Sequence, residues 1–512
     1  MTGTEVLDAR HETSGRAPLI GSVVGGRAVA DPDGMTSEVF DPATGEVTGR
    51  LAHADASTVD EAVRLATAAW RGGWGELPQK NRFSILMRLR ELVLSHQAEF
   101  VDLIVAEHGK AAADAAGEFA RALDGLDSVF SFPVSVQGAF SGQVARGVDT
   151  YSTPYPLGVV TTITPFNFPL MIPLWGAAAA LACGNAVIHK PSPRVPSAAL
   201  LLADLVHQAG VPVDAYSVIQ GGAETVDALL DHPGIAAASF VGSTPVAEHI
   251  YTRGSAAGKR VQAMGGAKNH AVVMPDCDLS FTADSLVAGA FGSTGQRCMA
   301  VTLAVAVGPV AEPLRAAVAE RLPAIKVGPG NSPGCELGPV VSRESQQRIL
   351  NLVDEGERQG VEVVVDGRPF AAENPGFFVG PTLLDNVRPG TPVYDEELFG
   401  PVLGIVRVET LDEALALIDA NPYGNGASIF TSSGAAARTF ERRVEAGMVG
   451  INVPVPVPVN SFSTGGWRAS VFGAHGLLGP EAFRFFTRQK QVTTRWPEAG
   501  SASMGMAFNP GT

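Results

Sequence analysis

Cysteine is scarce in this chain: four in 512 residues, at Cys183, Cys277, Cys298 and Cys335. Four thiols cannot staple a chain of this length, and none sits in a CxxC pair. A disulfide scaffold, a zinc ribbon and a thioredoxin-type motif are therefore excluded, and no metal is expected. So thiol-poor a chain suits a reducing compartment, and a cytoplasmic location is expected. Positive charge is also short. Lys and Arg number 37 against 52 Asp and Glu, for a net charge of −15. That balance gives no basic face for a nucleic-acid backbone, so no nucleic-acid partner is expected. Charged residues make up 17% and hydrophobic ones 46%, which excludes disorder over most of the chain. The GxGxxG string of the usual dinucleotide fold is absent. No charge appears from Pro154 to Ile188, but Pro165, Pro169 and Pro173 interrupt the run and Asn167 and Asn185 would need partners in lipid. It reads as a buried strand and helix in a soluble core, with no membrane span. The first 16 residues mix Glu5, Asp8 and Glu12 with Arg10 and Arg16 and lack an apolar core. They read as a frayed tail, neither a secretory signal nor a transit peptide.

What is present is α/β patterning. At roughly 100–200 residues per domain, the length requires two or more packed units. Apolar residues at helical spacing predict helices over 60–70, 82–94 and 99–107. Strand-like and helical segments then alternate: 159–163, 174–183, 186–190, 197–209, 215–219, 225–230 and 236–241. Short connections in such an alternation predict a parallel, doubly wound sheet covered by helices. A second α/β region follows from about Lys268. Its predicted strands are 301–307, 361–365, 403–408 and 428–430; its predicted helices are 281–290, 311–319, 345–355 and 411–418. Residues 484–496 alternate enough to be an exposed strand, which wants a partner. Val453-Pro-Val-Pro-Val-Pro-Val459 cannot be a central strand and reads as a stiff extended segment.

Four elements could carry chemistry. Phe291-Gly-Ser-Thr-Gly-Gln-Arg-Cys-Met-Ala300 sets Cys298 behind two glycines and beside Arg297, after a predicted helix. A cysteine attacks as its thiolate, which a positive neighbour or a helix end would favour. A cysteine is equally at home as a small buried hydrophobe, the reading that fits Cys183, Cys277 and Cys335. The residues alone leave Cys298 open between the two. Thr164-Pro-Phe-Asn-Phe-Pro169 holds Asn167 between prolines at a strand's carboxyl end, where its amide could stabilise an oxyanion or only complete a turn. Lys190-Pro-Ser-Pro-Arg194 and Phe240-Val-Gly-Ser-Thr244 follow two further strands. They are plain loops, or Lys190 meets ribose or phosphate while Gly242 and Ser243 cradle a pyrophosphate at a helix start. Arg121, on a predicted helix, reads as a solvated charge when taken by itself.

Taken in order, these strings resemble the aldehyde dehydrogenase superfamily from about Asp41 to Trp496. Gly376-Phe-Phe-Val-Gly-Pro-Thr382, Glu396-Glu-Leu-Phe-Gly-Pro-Val402 and Asn421-Pro-Tyr-Gly-Asn425 join the strings above in carrying the resemblance. Within it the chain is most similar to the CoA-acylating methylmalonate-semialdehyde dehydrogenases. Gly258-Lys-Arg-Val-Gln262, Gly266-Ala-Lys-Asn-His270, Val272-Val-Met-Pro-Asp276 and Gly450-Ile-Asn-Val-Pro-Val-Pro-Val457 carry that closer likeness.

The resemblance implies roles. Cys298 matches the nucleophile, and Asn167 with the Cys298 N–H matches the oxyanion donors. Phe166, Lys190, Arg194, Ser243, Glu397 and Phe399 match cofactor contacts. Arg121 and Arg297 match the pair that binds a substrate carboxylate. Met264 stands where hydrolytic members carry a glutamate base, and methionine cannot accept a proton. The acyl-enzyme would then wait for the thiol of CoA, with no carboxylate beside the sulfur to recruit water. Methylmalonate or malonate semialdehyde would become propionyl-CoA or acetyl-CoA, with NAD as cofactor and CoA as co-substrate. The alternative is an NAD(P)-dependent semialdehyde dehydrogenase that releases a free acid; another is a non-enzymatic member that kept the fold. Pro193 replaces the family's glutamate in Lys-Pro-Ser-Glu, which raises NADP use as an alternative. The implied architecture has a cofactor-binding domain (17–138 and 158–266) and a catalytic domain (267–460), both doubly wound α/β. A small β oligomerisation arm (139–157 and 483–497) would exchange strands in a homodimer or homotetramer, and 498–512 would be a tail.

Overall fold

The computed structural model describes residues 10–11, 17–145, 147–459 and 461–496. The tails expected at 1–16 and 498–512 lie outside them, apart from Arg10–His11, which pairs with Leu19–Ile20. An eight-stranded sheet forms the first layer. Its centre is Val159–Ile163, a β-branched run buried on both faces, which is why it reads as continuously apolar. Ala186–Lys190 and Tyr216–Val218 extend the sheet on one side of it, in parallel. The chain then crosses back to add Ile235–Val241 and Arg260–Met264 on the other side, again in parallel. The order therefore reverses between Val159–Ile163 and Ile235–Val241, and the crevice at the carboxyl ends of those strands is where such sheets bind ligands. Antiparallel strands finish both edges: Ser22–Val24 with Arg27–Val29, and Val471–Gly473. The last of these lies in a stretch that the sequence assigned to no domain.

A second sheet of seven strands is centred on Asn269–Val273 and Val301–Val307. Helix Leu279–Phe291 covers one of its faces and ends at Gly292, six residues before Cys298. A third sheet stands apart: Phe140–Ala145, Val148–Pro156 and Thr487–Arg495, three strands with few buried residues. Residues 484–486, expected as strand, are the last turn of helix Gly479–Phe486. Phe485 and Phe486, which belong to the alternating stretch, are instead buried on this helix with Phe483, whose ring lies edge-on to Phe132 at 5.1 Å. Residues 453–459 have no regular structure, as alternating prolines require. Helix Met171–Ala182 is almost wholly buried in the core, and among the described residues no helix is long and apolar enough to cross a membrane.

Candidate active site

The cysteine loop is built first by its backbone. After Gly292 the chain passes through three left-handed residues, Ser293, Thr294 and Gly295, at φ of 52°, 56° and 68°. Gly295 has no substitute, since a Cβ there would meet the Gly400 carbonyl at 2.1 Å. The two non-glycine residues are held by outside partners. Ser293 N–H donates to Asp114 Oδ2 at 2.8 Å, and Thr294 Oγ1 to the Gly338 carbonyl at 3.1 Å. Cys298 emerges half-buried. Its carbonyl accepts from Asn269 Nδ2 at 2.8 Å and from Asn425 Nδ2 at 3.1 Å, which fixes the peptide bearing the thiol.

Asn167 comes to this loop from the carboxyl end of Val159–Ile163. Its Nδ2 donates to the Gln296 carbonyl at 3.0 Å, two residues from Cys298. Among the described residues the second amide N–H has no acceptor and can meet an oxyanion. A buried ion pair sets the asparagine's backbone. Lys110 Nζ donates to the Asn167 carbonyl at 2.6 Å and to Glu118 Oε2 at 2.8 Å. The other Glu118 oxygen accepts from the Leu170 and Met171 N–H groups at 2.9 and 3.2 Å. Both side chains are fully buried, so each charge needs the other. Lys110, Glu118, Asn269 and Asn425 were not singled out from the sequence as parts of the site.

The residues matched to a cofactor divide into two groups. Phe166, Phe399 and Arg194 meet: the Phe166 ring lies edge-on to Phe399 at 5.8 Å, with the Arg194 guanidinium 5.5 Å from its centroid. His108 stacks on the same ring at 5.9 Å, and its buried Nε2 has no hydrogen-bond partner among the described residues. Lys190 stands at the end of its strand, where Nζ donates to the carbonyls of Pro191 and Gly221 at 2.6 and 2.9 Å. Burial pushes its pKa down to about 7. Ser243 is the exposed cap residue of helix Thr244–Ala256, and its side chain caps nothing. Pro245 has no N–H, so the Thr244 and Val246 N–H groups are the ones this helix start can offer an anion. Gly242 N–H donates to the Met264 carbonyl at 3.0 Å, so Met264 ends the strand beside this loop.

Glu397 bears on the expectation of no carboxylate beside the sulfur: second to burial, it raises the Cys298 pKa through its negative charge. Its Oε1 accepts from Ala267 N–H at 3.1 Å, and its Oε2 fills the space over Gly266, 2.6 Å from where a Cβ would stand. Burial pushes Glu397 up to about 7, opposed by the Ala267 N–H bond and then by the charge of Lys268. Cys298 is pushed up to about 11, by burial first and by Glu397 second. The expectation that Arg297 would lower the thiol's pKa also fails: the thiol is raised, and Arg297 Nη2 is paired with Asp114 Oδ1 at 2.5 Å. Arg121 anchors elsewhere, to Asp124 at 3.4 Å and to the Pro458 carbonyl at 3.3 Å. The two arginines thus meet one helix, Ala112–Ser128, without sharing a partner.

These residues fit a dinucleotide. The sheet's switch point, an uncapped helix start, a buried cation at a strand end and an aromatic cluster with an unpartnered ring nitrogen converge around one crevice.

Comparison with known proteins agrees. The model of the aldehyde dehydrogenase family matches residues 29–492. The malonate-semialdehyde dehydrogenase of Pseudomonas aeruginosa is 46% identical over 94% of this chain and 97% of its own length. The human mitochondrial methylmalonate-semialdehyde/malonate-semialdehyde dehydrogenase, described as acylating, is 41% identical over 95% of this chain and 91% of its own. A solved structure from Sinorhizobium meliloti 1021, complexed with NAD, superposes with a TM-score of 0.92 at 42% identity, over 95% of this chain and 99% of that one.

Proposed function

The chain belongs to the aldehyde dehydrogenase family, and on that footing we propose that it oxidises malonate semialdehyde or methylmalonate semialdehyde and passes the acyl group to CoA. The relatives' names support the substrate class. The observation that carries the acyl transfer is Met264, a side chain without a proton acceptor at the end of the strand beside the crevice. Phe166, Phe399, Arg194, Lys190, Ser243 and Glu397 would hold NAD, which when bound supplies the hydride acceptor.

The chain's own residues do the rest. Cys298 Sγ attacks the aldehyde carbon, and the oxygen that gains the electron pair is met by the free Asn167 N–H and the Cys298 backbone N–H. Oxidation leaves a thioester on Cys298. Its β-carboxylate leaves as CO₂: the carbon–carboxylate bond breaks, its electron pair moves to the α-carbon, and that carbon takes a proton. The same donors hold the enolate oxygen formed in passing. The CoA thiol then attacks the thioester carbon and expels Cys298. Arg121 and Arg297 would bind the carboxylate until it leaves.

A second reading, hydrolysis to a free acid, is favoured by Glu397, a carboxylate pushed up to about 7 whose charge acts on Cys298. One experiment separates them. Purified enzyme is given malonate semialdehyde and NAD, with and without CoA, while NADH and products are followed. Acetyl-CoA with strong CoA dependence is the expected result; equal turnover without CoA, yielding free acid, would defeat the acylating reading.

A further inference from the structure

We infer that Asp114 and Gly292 form a seat for the Arg297 guanidinium, and that Asp114 is a positioning residue for recognition of the aldehyde's carboxylate. The inference rests on the substrate class proposed above. Asp114 lies in the first turn of helix Ala112–Ser128 and is partly buried. Its two oxygens are divided. Oδ1 accepts from Arg297 Nη2 at 2.5 Å, and Oδ2 from Ser293 N–H at 2.8 Å. One carboxylate thereby ties the guanidinium to the left-handed turn that leads to Cys298.

Gly292 is the second half of the seat. A Cβ there would lie 2.5, 2.6 and 2.7 Å from Arg297 Nη1, Nη2 and Cζ, so the guanidinium occupies that volume. The Gly292 backbone, at φ −55° and ψ 139°, is open to any residue. A Cβ here would therefore have to displace the guanidinium, while the backbone conformation itself poses no obstacle. Among the described residues Arg297 spends only Nη2 on the protein, and the side chain is 24% exposed. Its Nε and Nη1 remain for a ligand. A planar fork held at one corner offers those N–H groups to a carboxylate in a fixed direction. Without Asp114 the guanidinium is loose, and binding would have to order it.

The helix that carries Asp114 also carries Glu118 and Arg121 on the same face, at i+4 and i+7. Glu118 fixes the Asn167 loop, and Arg121 lies roughly 10 Å farther along the axis. One rigid element thus sets the carboxylate site against both the oxyanion donor and the nucleophile's turn.

The experiment compares kcat/KM for malonate semialdehyde with that for propanal, a three-carbon aldehyde without the carboxylate, under saturating NAD and CoA. Asp114→Asn should lower the ratio about tenfold or more, because a charge-assisted contact has been lost on one substrate only. Gly292→Ala keeps every charge but displaces the guanidinium, and should lower the same ratio. Asp114→Glu should restore most of it. A purely structural defect would lower both substrates together, and that result in both variants overturns the seat. A ratio that rises in Asp114→Asn overturns it too, because Asp114 would then be competing with the substrate. A wild-type enzyme with no preference for the carboxylated aldehyde defeats the substrate class itself; a preference that survives Asp114→Asn and Gly292→Ala defeats the seat alone.

Discussion

At the scale of single residues, the site holds its reactive groups back. Cys298 is raised to about 11, so at neutral pH the free enzyme carries little thiolate. Alkylation of Cys298 by iodoacetamide should therefore climb about tenfold per pH unit between pH 7 and 9, with no plateau in that window. A plateau near pH 8 would show a lower pKa. Glu397 contributes to the shift through its negative charge. Glu397→Gln removes that charge, lowers the thiol pKa and should speed alkylation at pH 8; a slower reaction would mean that Glu397 acts as a base toward the thiol. Pro193 tests a different residue-scale argument. The family's glutamate at this position would accept from ribose hydroxyls and repel a 2′-phosphate. Arg194 stands next to Pro193 with its guanidinium 5.5 Å from the Phe166 ring centroid, so the missing carboxylate leaves a cation without that opposing charge. Pro193→Glu should raise the ratio of kcat/KM for NAD over NADP by about tenfold, of the order of one ionic repulsion. A wild-type enzyme that already strongly prefers NAD would show that the carboxylate is dispensable here.

At the scale of elements, helix Ala112–Ser128 and the loop after Val159–Ile163 are joined by a desolvated ion pair. Removing one partner leaves the other charge buried, a loss of about 3–5 kcal/mol. Lys110→Met should accordingly lower the urea midpoint sharply, and kcat with it, because the Asn167 carbonyl loses its donor. The double variant Lys110→Met with Glu118→Leu buries no charge. It should recover much of the stability but little of kcat, since Leu170 and Met171 N–H still lack their acceptor. Parallel recovery of both would remove the pair from any role at the site. The sequence shows why such links escape notice. Val159–Ile163, Ala186–Lys190 and Val301–Val307 were legible because strands buried on both faces are written as continuous apolar runs. Cys298, Asn167 and Phe166 could be singled out because they lie in local strings that carry the family resemblance, while their roles remain part of the proposal. Strands of two or three residues, such as Leu19–Ile20 and Ser22–Val24, have no room for a periodicity. Asp114 and Glu118 look like ordinary charges on a helix. Their meaning lies in partners 183 and 52 residues away, which no local pattern records.

At the scale of the whole molecule, the chain ends two sheets on open edges. Thr487–Arg495 pairs on one side with Val148–Pro156 and is otherwise largely exposed. Met448–Ile451 closes the seven-stranded sheet and, among the described residues, pairs only with Gly426–Phe430. Unpaired edges of this kind recruit other chains unless something covers them. The arm around them exposes large apolar groups as well: Phe140, Val144, Tyr155 and Trp496. A monomer would present all of this to water, whereas a symmetric oligomer can bury it by adding the arm of one copy to an edge of another. Light scattering should accordingly return a dimer or tetramer, and a monomer at micromolar concentration would sink the idea. Proline scanning locates the contact. Adjacent residues of a strand point their N–H groups to opposite sides, so Gln491→Pro and Val492→Pro interrupt different edges of Thr487–Arg495. One should weaken the internal ladder and lower the unfolding midpoint. The other should leave the fold intact and shift the mass toward smaller species. If neither variant changes the mass, the outer edge of this strand is not where the copies join.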